Sequence, residues 1–164
     1  MKKIIWKSLL MLSPLLLLLE TKAQEQSANT DAMATAKPMN EVDFVWGDPP
    51  PSLPKGAKLA VLAGDPSKEG PITLRVVFPP NYKMAAHTHL GVENVTVLKG
   101  TLYVGMGDKI DMKNATLLKA GAFFAIPTTG PHFAFTKEGC TFEVHTMGPF
   151  VVNYANAADD PSKQ

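Results

Sequence analysis

All 12 glycines of this 164-residue chain fall between Gly47 and Gly148, and 14 prolines join them in cutting the sequence into short pieces. Both residue types break helices and supply turn geometry, so punctuation this dense excludes a helix bundle and favours many short strands. From Glu41 onward, runs of Val, Ile, Leu, Phe and Thr alternate with Gly, Pro, Asp and Asn, and no window of a dozen residues carries a helical period. The spacing predicts strands at 42–46, 58–63, 72–78, 84–89, 94–99, 101–106, 115–119, 122–126, 132–136, 141–146 and 150–154. Such a series predicts one all-β domain over residues 41–156, either a closed barrel or a two-sheet sandwich, since both remove exposed strand edges. Residues 157–164 are expected as a polar, frayed tail.

The start of the chain has a different texture. Lys2, Lys3 and Lys7 precede an apolar run from Leu9 to Leu19, and Thr21-Lys22-Ala23 ends in a small residue. This pattern is that of an export signal over residues 1–23, cleaved after Ala23. The run is shorter than the ~20 residues that span a bilayer and Pro14 interrupts it, so no stable membrane anchor is expected after cleavage. Residues 24–40 are polar and small and should form a flexible leader. The expected location is periplasmic or extracellular. The formal charge of +1 belongs to the signal, because residues 24–164 carry 12 Lys+Arg against 14 Asp+Glu. That balance lacks the basic footprint of a nucleic-acid binder. The lone Cys140 has no internal disulfide partner and reads as a small buried side chain in preference to a reactive thiol.

The four histidines, His87, His89, His132 and His145, all lie within the predicted domain. In a strand, residues at i and i+2 project from one face, so His87 and His89 can share one metal ion. Leu90-Gly91-Val92 is expected to turn the chain into the neighbouring strand and bring Glu93 beside the pair, and Gly100 to close the following hairpin. His132 follows another strand and a Thr129-Gly130-Pro131 turn.

These segments resemble the paired motifs of the cupin superfamily. His87, His89, Glu93 and Gly100 stand at the spacing of the first motif, G-x5-H-x-H-x3,4-E-x6-G, and Gly121, Pro127 and His132 match the second, G-x5-P-x-G-x2-H-x3-N. Asn81 occupies the place of the first Gly, the turn Gly is displaced by one to Gly130, and Thr136 stands where the final Asn belongs. Trp46, Gly64-Asp65-Pro66 and Met147-Gly148-Pro149-Phe150 are further similar to a group of small exported bacterial cupin proteins. The resemblance implies a conical antiparallel β-barrel of the jelly-roll, or double-stranded β-helix, type. It also implies one divalent transition metal held by His87, His89, Glu93 and His132, and a homodimer. Three imidazoles and a carboxylate suit Fe, Mn, Ni, Cu, Co or Zn and leave positions open on an octahedral ion. Glu93 either ligates the metal or orients a ligating His.

Three further residues depend on which way their strands face. Glu143 and His145 share a strand face opposite Cys140, Phe142 and Val144. Turned inward, Glu143 and His145 would serve as acid or base beside the metal; turned outward, they are solvated. Arg75 is either an anchor for an anionic substrate or an exposed cation. The leading functional expectation is a dioxygenase-like oxidoreductase acting on a small molecule. The alternatives are a metal-dependent isomerase or lyase, or a non-catalytic binding module. An added catalytic residue on the pocket wall favours an enzyme, whereas apolar walls around four metal ligands favour the module.

Overall fold

A computed structural model of the protein describes residues 38–164. The proposed signal and nearly all of the leader lie outside the described residues, and residues 38–40 at the leader's end are exposed. Nine strands follow: β1 (Lys58–Ala63), β2 (Gly70–Phe78), β3 (Lys83–Thr88), β4 (Glu93–Met106), β5 (Thr116–Lys119), β6 (Phe123–Ile126), β7 (His132–Phe135), β8 (Cys140–Gly148) and β9 (Asn153–Tyr154). Every pairing is antiparallel, and the order β1-β2-β8-β4-β7-β3-β9, with β5 and β6 also against β4, forms one curled sheet. The fold is therefore all-β, the curled jelly-roll barrel that the motifs imply.

Alternation in the sequence sets the two faces of this sheet. On β2, Ile72, Leu74, Val76 and Phe78 are buried while Thr73, Arg75 and Val77 are not; on β8, Cys140, Phe142 and Val144 are buried. Directly paired residues share a face, so the register Leu74↔Val144, Val76↔Phe142 and Phe78↔Cys140 stacks the two apolar rows on the inner side. Val95 and Val97 of β4 extend those rows from the other edge of β8, and Phe78 meets Phe142 edge-on at 4.8 Å. Burying one such aromatic side chain contributes about 1.5–3 kcal/mol relative to leaving it exposed. Cys140 sits in the same row, and burial pushes its thiol up to about 11, as expected of an inert buried residue.

Four elements differ from the reading of the sequence. Residues 42–46 form no strand; a 3-10 turn at Glu41–Asp43 leads to a single bridge, Gly47↔Leu59. Gly100 closes no hairpin, because β4 runs unbroken through it. There β4 leaves β8 and β6 and joins β7 and β5, after a slip in register between Val97 and Lys99. Gly100 has φ +75°, and a Cβ there would lie 2.2 Å from the Gly139 carbonyl oxygen, so the position is a corner between two halves of the sheet. Leu90–Val92 is likewise no hairpin turn, since β7 lies between β3 and β4. At the other end, residues 157–164 make two 3-10 turns whose free N–H groups donate to Asn156 and Asp160 side chains.

Candidate metal centre

Three strand ends meet at one mouth of the barrel. β3 delivers His87 and, one residue past its end, His89; β7 begins at His132, paired directly with His87; β4 begins at Glu93. Met84 and His87 both line the inner cavity although they stand three positions apart. Regular strand geometry would put them on opposite faces; the irregularity in the β3–β7 register between these two positions removes the conflict and turns His87 inward. His89 then follows on the same face, as the i, i+2 spacing requires.

The result is a buried cluster. One ring nitrogen from each of His87, His89 and His132 lies within 4.8 Å of the other two. The Oε2 atom of Glu93 is 3.5 Å from Nε2 of His89 and 3.5 Å from Nε2 of His132. Nδ1 of His87 donates to the Ala85 carbonyl at 2.6 Å, and Nδ1 of His89 donates to the Val151 carbonyl at 2.8 Å. A carbonyl only accepts, so both rings carry their proton on Nδ1 and keep a lone pair on Nε2. Burial, reinforced by neighbouring histidines, holds the His87 pKa well below its ordinary value, and burial lowers that of His89 despite the opposing charge of Glu93. His132 has no such anchor; its Nδ1 is buried without a hydrogen-bond partner among the described residues. Two neutral, oriented imidazoles with a third ring and a carboxylate beside them are a donor set that suits a divalent transition metal, so the residues fit such an ion.

The sequence matches the ChrR cupin-like domain over residues 46–150. The protein is a member of the ChrR cupin-like family. It matches no curated protein. The polyketide cyclase RemF from Streptomyces resistomycificus superposes with a TM-score of 0.64 at 19% identity, covering 78% of this chain and 91% of that one. An RmlC-like cupin from Shewanella frigidimarina gives 0.52 at 16% identity, over 66% of this chain and 87% of that one. KdgF from Halomonas sp. gives 0.52 at 16% identity, over 70% and 94%. Identities this low establish the shared cupin fold and nothing of the chemistry.

Within this cupin, the three positions left open by the sequence all face away from the metal centre. Leu74, Val76, Phe142 and Val144 occupy the inner side, so strict alternation places Arg75, Glu143 and His145 on the outer side. There Arg75 donates from Nε to Glu143 at 3.0 Å and lies over the Phe44 ring, while His145 meets Glu143 at 2.9 Å and Thr73 at 3.1 Å. The inward alternatives, Glu143 and His145 as acid or base and Arg75 as a substrate anchor, are corrected accordingly. The cavity itself has a free volume of about 60 Å3, and among the described residues its polar lining consists of His87, His89, Glu93 and His132.

The segment after β8 supplies contacts that the motifs do not reveal. Phe150 stacks on His89 with ring centroids 4.7 Å apart, and the next carbonyl, Val151, fixes the His89 tautomer. Residues 153–154 then pair with His87 and Thr88 as β9. The signal in the sequence is Gly148-Pro149, which ends a long strand just before an aromatic residue.

The motif departures have physical substitutes. Asn81, in the place of the first motif Gly, has φ +64° and is the only non-glycine residue with positive φ among the described residues. Asn tolerates that left-handed conformation better than most side chains. Thr136, in place of the final Asn, donates to the Thr101 carbonyl at 2.7 Å and accepts from the Gly139 N–H at 3.0 Å, holding the turn into β8.

Proposed function

We propose that this cupin is an exported metalloprotein in which His87, His89, His132 and Glu93 hold one divalent transition metal, and that it acts as a dioxygenase-like oxidoreductase on a small molecule. The observation that carries this reading is the convergence of three imidazoles, two with tautomers fixed by backbone carbonyls, beside a carboxylate in an otherwise apolar cavity. Bound there, the metal supplies redox or Lewis-acid chemistry and open positions for a chelating ligand. The chain's own part is to orient and exclude. Ala85 and Val151 hold the His87 and His89 rings in place, the apolar wall keeps bulk water out, and Glu93 is the one carboxylate among the described residues on the wall able to take or return a proton. Export is supported by the basic, apolar and small-residue pattern of residues 1–23.

A second reading, a non-catalytic metal or ligand-binding module, is favoured by the same wall. With Arg75, Glu143 and His145 outside, no acid or base among the described residues lines the cavity beyond Glu93 and the three histidines. The enzymatic reading therefore narrows to reactions that a metal and one carboxylate can carry out. Metal-free protein reconstituted with Fe(II), and in parallel with the other ions, is tested for oxygen uptake across diketones, phenols and hydroxy acids. Uptake with a substrate supports the oxygenase. Turnover without oxygen replaces it by an isomerase or lyase, and silence with every metal and substrate leaves the binding module.

A further inference from the structure

The cavity wall carries information about its ligand beyond the metal, and this inference rests on the metal-binding reading above. Among the described residues, all four polar lining residues belong to the His and Glu cluster; the rest of that wall, including Leu59, Leu74, Val95, Phe142, Val144 and Phe150, offers no side-chain hydrogen-bond donor or cation. Arg75, which stands between the lining residues Leu74 and Val76, sits on the opposite face of β2 and is engaged by Glu143. A charged group held away from the cluster would be buried with no partner, which disfavours binding strongly. With about 60 Å3 of free volume, the space is also far below the ~300–1,000 Å3 of pockets that take drug-sized molecules. We infer that the site selects a small ligand with a single metal-chelating end and an uncharged, apolar remainder, and rejects ligands bearing a second anionic group.

The test separates the tail from the chelating head. Protein loaded with Co(II) is titrated with acetohydroxamate, butanohydroxamate and the monohydroxamate of succinic acid, following the visible Co(II) spectrum. All three share one chelating group; the last two differ chiefly in a terminal methyl against a carboxylate. Butanohydroxamate should bind at least tenfold more tightly than its charged analogue. Each methylene added to acetohydroxamate should gain up to about fourfold while the cavity still has room. Leu59 is a half-buried lining residue, so Leu59→Lys places an ammonium at the wall with access to water. This variant should narrow or reverse the preference. Equal affinities, or tighter binding of the charged tail by the unaltered protein, would overturn the inference while leaving the metal reading intact. Failure to bind Co(II) at all would remove both. Should Leu59→Lys fail to fold, the ranking by the unaltered protein decides alone.

Discussion

The inner and outer faces of the same sheet give histidine two different fates. Inside, His87 and His89 each spend one nitrogen on a backbone carbonyl, lie in an apolar cavity that holds them neutral, and keep the other nitrogen's lone pair free. Outside, His145 has both nitrogens engaged, by Thr73 and by Glu143, and half of its side chain is exposed. The number of polar neighbours is therefore a poor guide to metal binding. What creates a site is a lone pair left without a protein partner where water does not compensate it, repeated three times at one place. Glu143 illustrates the converse, since its carboxylate serves Arg75 and His145 together.

The largest effect should come from the inner set. Replacing His87 and His89 together with Ala is expected to take metal content from about one ion per chain to none in elemental analysis, because one imidazole and one carboxylate make a poor site for the same ion. Metal content unchanged in the double variant would break the distinction between the faces at its root.

The next effect concerns stability, and β8 offers adjacent residues for it. Phe142→Ala deletes a buried ring packed against Phe78 and between Val76 and Val97, and should cost about 3–5 kcal/mol. Glu143→Ala removes the carboxylate of a mostly buried pair on the outer side of the sheet, whose Arg75 partner keeps the Phe44 ring, and should cost about 1–3 kcal/mol. Urea denaturation of both variants measures the gap. Equal losses would mean that the outer polar ladder holds the sheet as firmly as the core does.

How far the sequence discloses this arrangement depends on whether the deciding interaction is local. The strands at 58–63, 72–78 and 84–89 are legible because alternation and turn residues sit in adjacent positions, and the motif spacing names all four cluster residues. Gly100 misleads because a positive φ serves a hairpin and a sheet corner equally well; only the approach of Gly139 from another strand decides between them. The direction of Glu143 and His145 is unreadable from β8 alone, since either alternating set can be inner until Leu74 and Val76 appear opposite. Asn81 looks like a departure from the motif, yet it preserves the backbone conformation for which the motif glycine stands. Phe150 and Val151 reach His89 across some 60 positions of chain, a distance no local pattern spans.

The smallest expected effect is the sharpest check on the two faces. His145→Ala removes a half-exposed ring and its bonds to Thr73 and Glu143, but Glu143 retains Arg75 and Thr73 can turn to water. Stability should therefore change by no more than about 0.5 kcal/mol, the usual range for a surface substitution, and the metal content should not move. A loss of metal without a loss of stability would show that the outer ladder is coupled through β8 to the cluster it does not touch. The combined result, full metal with His145→Ala and none with the His87 and His89 double variant, would separate a histidine that binds from one that is merely satisfied.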